Sequence, residues 1–112
     1  MKEDFVTYEL AVKLRKKGFN IDTDFCYNQD GGIVRVGTCP APQIHEVLKW
    51  LREEKKLFVE PSLFKYGYES YVQSTIFEED KDYADTWRVE GFHSTYERAA
   101  IAGIKYVIDN LI

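Results

Sequence analysis

Apolar residues recur along this chain with two different periods, one typical of helices and one typical of strands. Residues 7–17 show the helical period, with Thr7 placed to cap the first turn and Gly18 just after the last. The apolar stripe of this segment consists of Leu10, Ala11 and Leu14. Such a stripe faces a core while the opposite side meets water, so we predict a helix over 7–17.

A hairpin is predicted next, because Asp30 and Gly31 form a strong short turn signal. With these two at the centre of a two-residue turn, the opposed pairs are Phe25 with Val36 and Tyr27 with Val34. These four side chains then form one apolar face. In the same register Cys26 and Cys39 lie roughly 13 Å apart along the sheet. A disulfide requires Cα atoms within about 7 Å, so we predict two thiols.

The helical period returns over 42–55, where Pro42 suits the first position of a helix. The predicted buried stripe consists of Ile44, Val47, Leu48 and Leu51. From Leu57 the period becomes two, which indicates strands. The predicted strands cover 57–60, which Pro61 ends, then 68–77 and 86–92, with an acidic turn at 78–85.

The last helix is predicted to begin at Ser94, because Ser94 and Glu97 have the spacing of a capping box. His93 beside Ser94 also suggests a catalytic pair, but neighbours on an extended chain point apart, which favours the cap. Small residues follow and predict a helix that lies close to the sheet. They are Ala99, Ala100, Ala102 and Gly103.

The element order is therefore α-β-β-α-β-β-β-α, and we predict one α+β domain over residues 1–112. Its antiparallel sheet would consist of the hairpin and a three-strand meander, with the helices packed on one face. A content of 45% hydrophobic and 15% aromatic residues is typical of a globular chain. No apolar run approaches the roughly 20 residues of a membrane span, and no signal peptide is evident, so we expect a cytoplasmic protein.

The net charge of −4 is unevenly spread. Residues 1–56 carry 10 basic and 9 acidic side chains, whereas residues 57–112 carry 5 and 10. The acidic half has no electrostatic footprint for nucleic acid. The basic cluster of Lys13, Arg15, Lys16 and Lys17 closes the first helix, where cations suit the helix dipole; a phosphate-binding patch is the alternative.

Candidate chemistry is sparse, and we predict no catalytic residue, metal ligand or cofactor. An enzyme assembled from distant groups stays open, and its candidates are Asp22, Asp24, His45 and His93. Aromatic residues gather in the predicted meander, where Tyr66, Tyr68 and Tyr71 are candidates for protein contact.

The segments "PAPQIHEVLKWLREEKKLFVEP" and "STYERAAIAGIKYVIDNL" resemble small proteins of Bacteroidetes and their phages over nearly the full length. The tail "EGFHSTYERAAIAGIKYVID" resembles HicB-type antitoxins, which implies a meander that leads through a cap into a helix. The order α-β-β-β-α over 42–112 resembles the double-stranded-RNA-binding fold. Where that family holds phosphates with lysines, this chain has Ser94, Thr95, Tyr96 and Glu97.

Three functions remain in view. The leading hypothesis is a small non-enzymatic binding or adaptor protein of bacterial or phage origin that contacts another protein or a second copy of itself. The alternatives are a HicB-like antitoxin and a nucleic-acid-binding module that uses the basic first half.

Overall fold

The computed structural model describes residues 4–20, 23, 25–35, 39–77 and 79–112. In these ranges the elements are α1 (Tyr8–Lys16), β1 (Cys26–Tyr27), β2 (Ile33–Val34), α2 (Ile44–Glu54), β3 (Leu57–Phe64), β4 (Gly67–Ser74), β5 (Thr86–His93) and α3 (Tyr96–Asn110). This confirms the predicted α+β order. The strands form two antiparallel sheets, because the β1–β2 hairpin is separate from the β3–β4–β5 meander.

The core lies between the meander and the helices. Helix α3 contacts all three strands of the meander, α2 packs on β3 and α3, and α1 reaches α3. Both predicted helical stripes are buried, which confirms the helical periods of α1 and α2. Thr7 caps α1 as predicted, since its hydroxyl accepts a hydrogen bond from the Leu10 amide at 3.3 Å.

Small residues let α3 lie close to the sheet, as the sequence predicts. Ala99, Ala100 and Gly103 are buried. A β-carbon on Gly103 would lie only 2.5 Å from Val59 Cγ1, so glycine is needed at this crossing. The Ser70 hydroxyl donates a hydrogen bond to the Ala99 carbonyl and joins β4 to the helix.

The predicted hairpin register is wrong by one residue. Cys26 pairs with Val34 and Tyr27 with Ile33, because the turn is a three-residue loop over 29–31 and not a two-residue turn. Val36 lies outside the described residues. The Tyr27 amide donates to the Cys39 carbonyl at 3.1 Å, so Cys39 lies beside β1 and not far along the sheet. Both cysteines are nevertheless thiols, as predicted.

Strand β3 continues through Pro61 and ends at Phe64, which corrects the predicted end before the proline. Pro61 lies on β3, an outer strand of the meander, where a missing amide hydrogen is tolerated, and it pairs with Ser70 of the central strand β4. Burial still alternates over this strand, since Leu57, Val59 and Pro61 are buried. Strand β4 is shorter than predicted and ends at Ser74.

The cap of α3 is Thr95, which corrects the prediction of Ser94. The Thr95 hydroxyl accepts a hydrogen bond from the Arg98 amide at 3.1 Å, because the helix begins one residue later than predicted. The Ser94 hydroxyl instead accepts from Arg98 Nη1 at 3.2 Å. Glu97 therefore lies at the second position of the helix, where a carboxylate suits the dipole, and not at the third.

Candidate functional site

The two faces of the meander differ in what they contact. One face packs against α3, while the other is exposed and is called the open face here. Its side chains alternate with buried ones along β3, and the strand pairing assigns residues of β4 and β5 to the same face. The residues of the open face are Phe58, Glu60 and Phe64 of β3, Glu69, Tyr71 and Gln73 of β4, and Thr86, Arg88 and Phe92 of β5.

An aromatic cluster lies at one end of this face. Phe64 is 6.2 Å from both Tyr71 and Phe92 between ring centroids, and Phe92 is 5.9 Å from Tyr66 in the β3–β4 turn. These separations and the tilted or edge-on ring orientations are those of favourable aromatic pairs. Phe64, Phe92 and Tyr66 are nevertheless 43%, 46% and 74% exposed. The aromatic cluster is therefore ordered and accessible to a partner.

A buried carboxylate, that of Glu69, forms hydrogen bonds with residues in and beside the aromatic cluster. Glu69 is only 2% exposed, and its oxygens accept hydrogen bonds from Arg88 Nε at 2.9 Å, Tyr71 Oη at 3.2 Å and the Gly91 amide at 3.3 Å. The Arg88 hydrogen bond lowers the pKa of the Glu69 carboxyl and outweighs burial, which acts in the opposite direction. Glu69 thus remains charged at neutral pH and fixes two side chains of the open face.

A β-bulge in β5 makes the hydrogen bond between the Gly91 amide and Glu69 possible. Tyr68 pairs with His93 but Ser70 pairs with Val89, so the register shifts across Glu69. Gly91 has a φ of +119°, which side chains other than hydrogen disfavour. The bulge directs the Gly91 amide to the carboxylate of Glu69. The end of β5 therefore acts as part of the support for the aromatic cluster.

The three tyrosines predicted for protein contact are divided between the two faces. Tyr66 and Tyr71 belong to the aromatic cluster, which the structure brings together through Phe64 and Phe92. Tyr68 points to the other side and packs edge-on against Tyr96 of α3, with centroids 6.3 Å apart.

The predicted basic cluster is largely engaged within the chain. Lys13 Nζ forms an ion pair with Asp109 at 3.1 Å, and Lys17 Nζ donates to the Ile112 carbonyl at 2.8 Å. Arg15 Nη2 contacts Cys39 Sγ at 3.8 Å. These contacts join α1 to the end of α3 and to the segment after the hairpin. Lys16 is exposed.

A groove of about 790 Å³ lies between the start of α1, the hairpin and the start of α3. Its wall includes Tyr27, whose hydroxyl donates to the Val6 carbonyl at 2.5 Å. Burial raises the pKa of the Tyr27 phenol, so this hydroxyl stays protonated at neutral pH. His93, Ser94 and Arg98 lie at the polar end of the groove.

The groups of the predicted enzyme alternative do not come together in the described residues. His93 lines the groove, whereas His45 lines a neighbouring cleft with Gln43 and Tyr96. Asp22 and Asp24 lie outside the described residues. Within the described ranges, no three His, Cys, Asp or Glu side chains are grouped as a metal site.

The sequence alone does not identify Glu69, Arg88, Gly91 and Phe92 as one unit. The available signal was a glutamate within the otherwise uncharged run Tyr68–Ser74, where a buried charge requires a partner. The partner, Arg88, lies 19 residues away and is brought beside Glu69 by the register between β4 and β5.

Comparisons with known proteins leave the family of this chain undecided. No protein-family model, curated protein or solved structure matches it. In the part of the chain that the structure describes, no helix is long and apolar enough to cross a membrane.

Proposed function

We propose that this protein acts as a binding module that contacts another protein or a second copy of itself through the open face. The observation that carries the proposal is the aromatic cluster beside Arg88, exposed on a sheet face and fixed by buried Glu69. Soluble monomers rarely expose large contiguous apolar patches without a use for them. Tyrosine, phenylalanine and arginine are also enriched in protein interfaces, and tyrosine and arginine are frequent among the few residues that contribute most of the binding energy.

The support beneath the cluster favours binding further. Ordering side chains at an interface costs about 0.5–1.5 kcal/mol for each flexible group. Glu69 already holds Tyr71 and Arg88 through hydrogen bonds, so part of that ordering precedes contact. Arg88 remains 56% exposed, and its terminal nitrogens are available to an acceptor on a partner.

Base stacking is the competing use of exposed aromatics, and charge disfavours it here. Proteins that stack single-stranded nucleic acid combine aromatic rings with a positively charged groove. On and beside the open face, Lys65 and Arg88 are offset by Glu60 and Glu90, and the Arg88 charge is paired with Glu69. An antitoxin role, as the HicB-like tail suggests, is one form of the protein-binding proposal.

The test compares face variants with equally exposed controls. Phe64→Ser with Phe92→Ser should abolish self-association in analytical ultracentrifugation, or capture of a defined partner from native cells. Phe77→Ser with Tyr83→Ser is the matched control, since these side chains are 55% and 65% exposed outside the meander strands. The controls should behave as the wild type. A wild type that stays monomeric and captures no partner, or binding that survives the face variants, contradicts the proposal.

A further inference from the structure

The groove between α1, the hairpin and α3 has the dimensions of a small-molecule site. Ligand pockets in proteins commonly measure about 300–1,000 Å³, and this groove measures about 790 Å³. It is separate from the open face, since the aromatic cluster contributes none of its lining. Any ligand in it would therefore be independent of the proposed protein contact.

The groove is apolar along most of its length. Its apolar walls consist of Phe5, Val6, Tyr8, Tyr27, Ile33 and Ile101. Tyr8 and Tyr27 pack edge-on with ring centroids 5.5 Å apart, and the Tyr27 hydroxyl is fixed on the Val6 carbonyl. The walls are thus ordered before any ligand arrives, which lowers the entropic cost of binding.

Polar groups converge at the end formed by the start of α3. Ser94 orients the Arg98 guanidinium through a 3.2 Å hydrogen bond, and His93 and Thr95 lie beside them. The described part of the chain gives Arg98 no carboxylate partner. A guanidinium with free donors matches the two oxygens of a carboxylate.

The sign of the charge at this end decides the ligand class. Glu97 also lines the groove and opposes an anion. Helices α1 and α3 both begin at the groove, and each start is equivalent to roughly half a positive charge. Glu9 in the first turn of α1 offsets the start of that helix. At the polar end the Arg98 charge offsets that of Glu97, and the start of α3 leaves this end net positive.

We propose that the groove binds a small amphipathic carboxylate. Its apolar body lies along Tyr27 and Ile101, and its carboxylate pairs with Arg98. Straight-chain and aromatic acids share this chemistry, and two probes distinguish them.

Titration calorimetry with laurate and with 4-phenylbutyrate tests the proposal, with dodecanol and 4-phenylbutanol as uncharged counterparts. We expect the wild type to bind at least one acid about tenfold or more tightly than its alcohol. Arg98→Gln should reduce acid affinity to that of the alcohol, whereas Lys105→Gln, an exposed cation elsewhere on α3, should not. Ile101→Trp should fill the groove and abolish binding of both, with Ile76→Trp as the exposed control.

Three results would overturn the assignment. The first is the absence of binding by either acid to a folded wild type. The second is acid binding that either Arg98→Gln or Ile101→Trp leaves unchanged. The third is binding that disappears in Phe64→Ser with Phe92→Ser, which would place the acid on the open face. Loss of protein contact in those face variants with acid binding intact separates this inference from the proposed function.

Discussion

The covered and open faces of the meander hold their side chains in place by different forces. On the covered face, Val72 is fully buried, as is Ile104 of the helix α3 that covers this face, and both are fixed by close packing. On the open face, exposed rings are fixed by neighbours that hydrogen-bond to one buried carboxylate, Glu69. Packing makes a surface stable but hides it, whereas a buried charge beneath an exposed surface orders it and leaves it accessible.

Truncation of one buried residue beneath the covered face and of one exposed residue on the open face should give the largest difference in stability. Ile104→Ala should reduce the free energy of unfolding by about 2–5 kcal/mol, because it leaves a cavity under the sheet. Phe92→Ala should cost below about 1 kcal/mol, since nearly half of its side chain is in water. Urea denaturation at several protein concentrations measures both. If the two variants lost equal free energy of unfolding, and if these losses grew with protein concentration, a second copy would cover the open face.

The carboxylate beneath the open face predicts a specific pH dependence. Because the folded pKa of Glu69 is depressed, its contribution is present above the ordinary carboxyl pKa of about 4.3. The contribution is lost as the pH falls through the lower folded pKa. Glu69→Gln should lower the Tm at neutral pH, and below the ordinary carboxyl pKa the Tm of this variant should decrease less steeply with falling pH than that of the wild type. We expect a smaller loss than for Ile104→Ala, since water solvates the exposed Arg88 charge.

Thermal melts between pH 7 and pH 3 measure this effect. Glu60→Gln is the matched control, because Glu60 is an exposed carboxylate on the same face. Its profile should follow that of the wild type. A Glu69→Gln profile with the wild-type slope would mean that the charge contributes nothing to the folded state.

The smallest effect is expected where the last strand leads into α3. Thr95→Ala should cost about 1 kcal/mol of stability through the lost cap, and Ser94→Ala should cost less. Among the described residues, the Ser94 hydroxyl accepts from the exposed Arg98 side chain alone, whose donors water also satisfies. Circular dichroism melts of the two variants give the comparison. A larger loss for Ser94→Ala would restore the capping box that the sequence suggests.

Local signals predicted the fold well. Thr7, the two helical stripes and the change of period at Leu57 each depend on residues within a few positions, and each was confirmed. The predictions were wrong where adjacent residues are equally suited to the same structural position. Ser94 and Thr95 are both good caps, and one residue more in the hairpin loop shifts its register.

The candidate sites depend on contacts between residues that are distant in the chain, and the sequence does not indicate which of these residues meet. The Glu69–Arg88 pair requires the register between β4 and β5, and the Gly91 contact requires a bulge whose position no periodicity marks. The groove is formed by the starts of two helices and a hairpin, so Tyr27 and Arg98 meet only in the folded chain. Tyr66, Tyr68 and Tyr71 were candidates because of their residue type, but only the strand positions show that Tyr68 and Tyr71 lie on opposite faces of β4 and that Tyr66 lies in the turn.

Both outer strands of the meander carry a feature that discourages growth of the sheet. Pro61 offers no amide hydrogen to a strand that would add beside β3, and the bulge at Gly91 disrupts the ladder along β5. Edge-to-edge aggregation, the usual hazard of a small sheet rich in aromatic residues, is thereby opposed at each side. The aromatic surface therefore remains available through the face of the sheet and not through its edges. This favours a specific complex over the formation of fibrils.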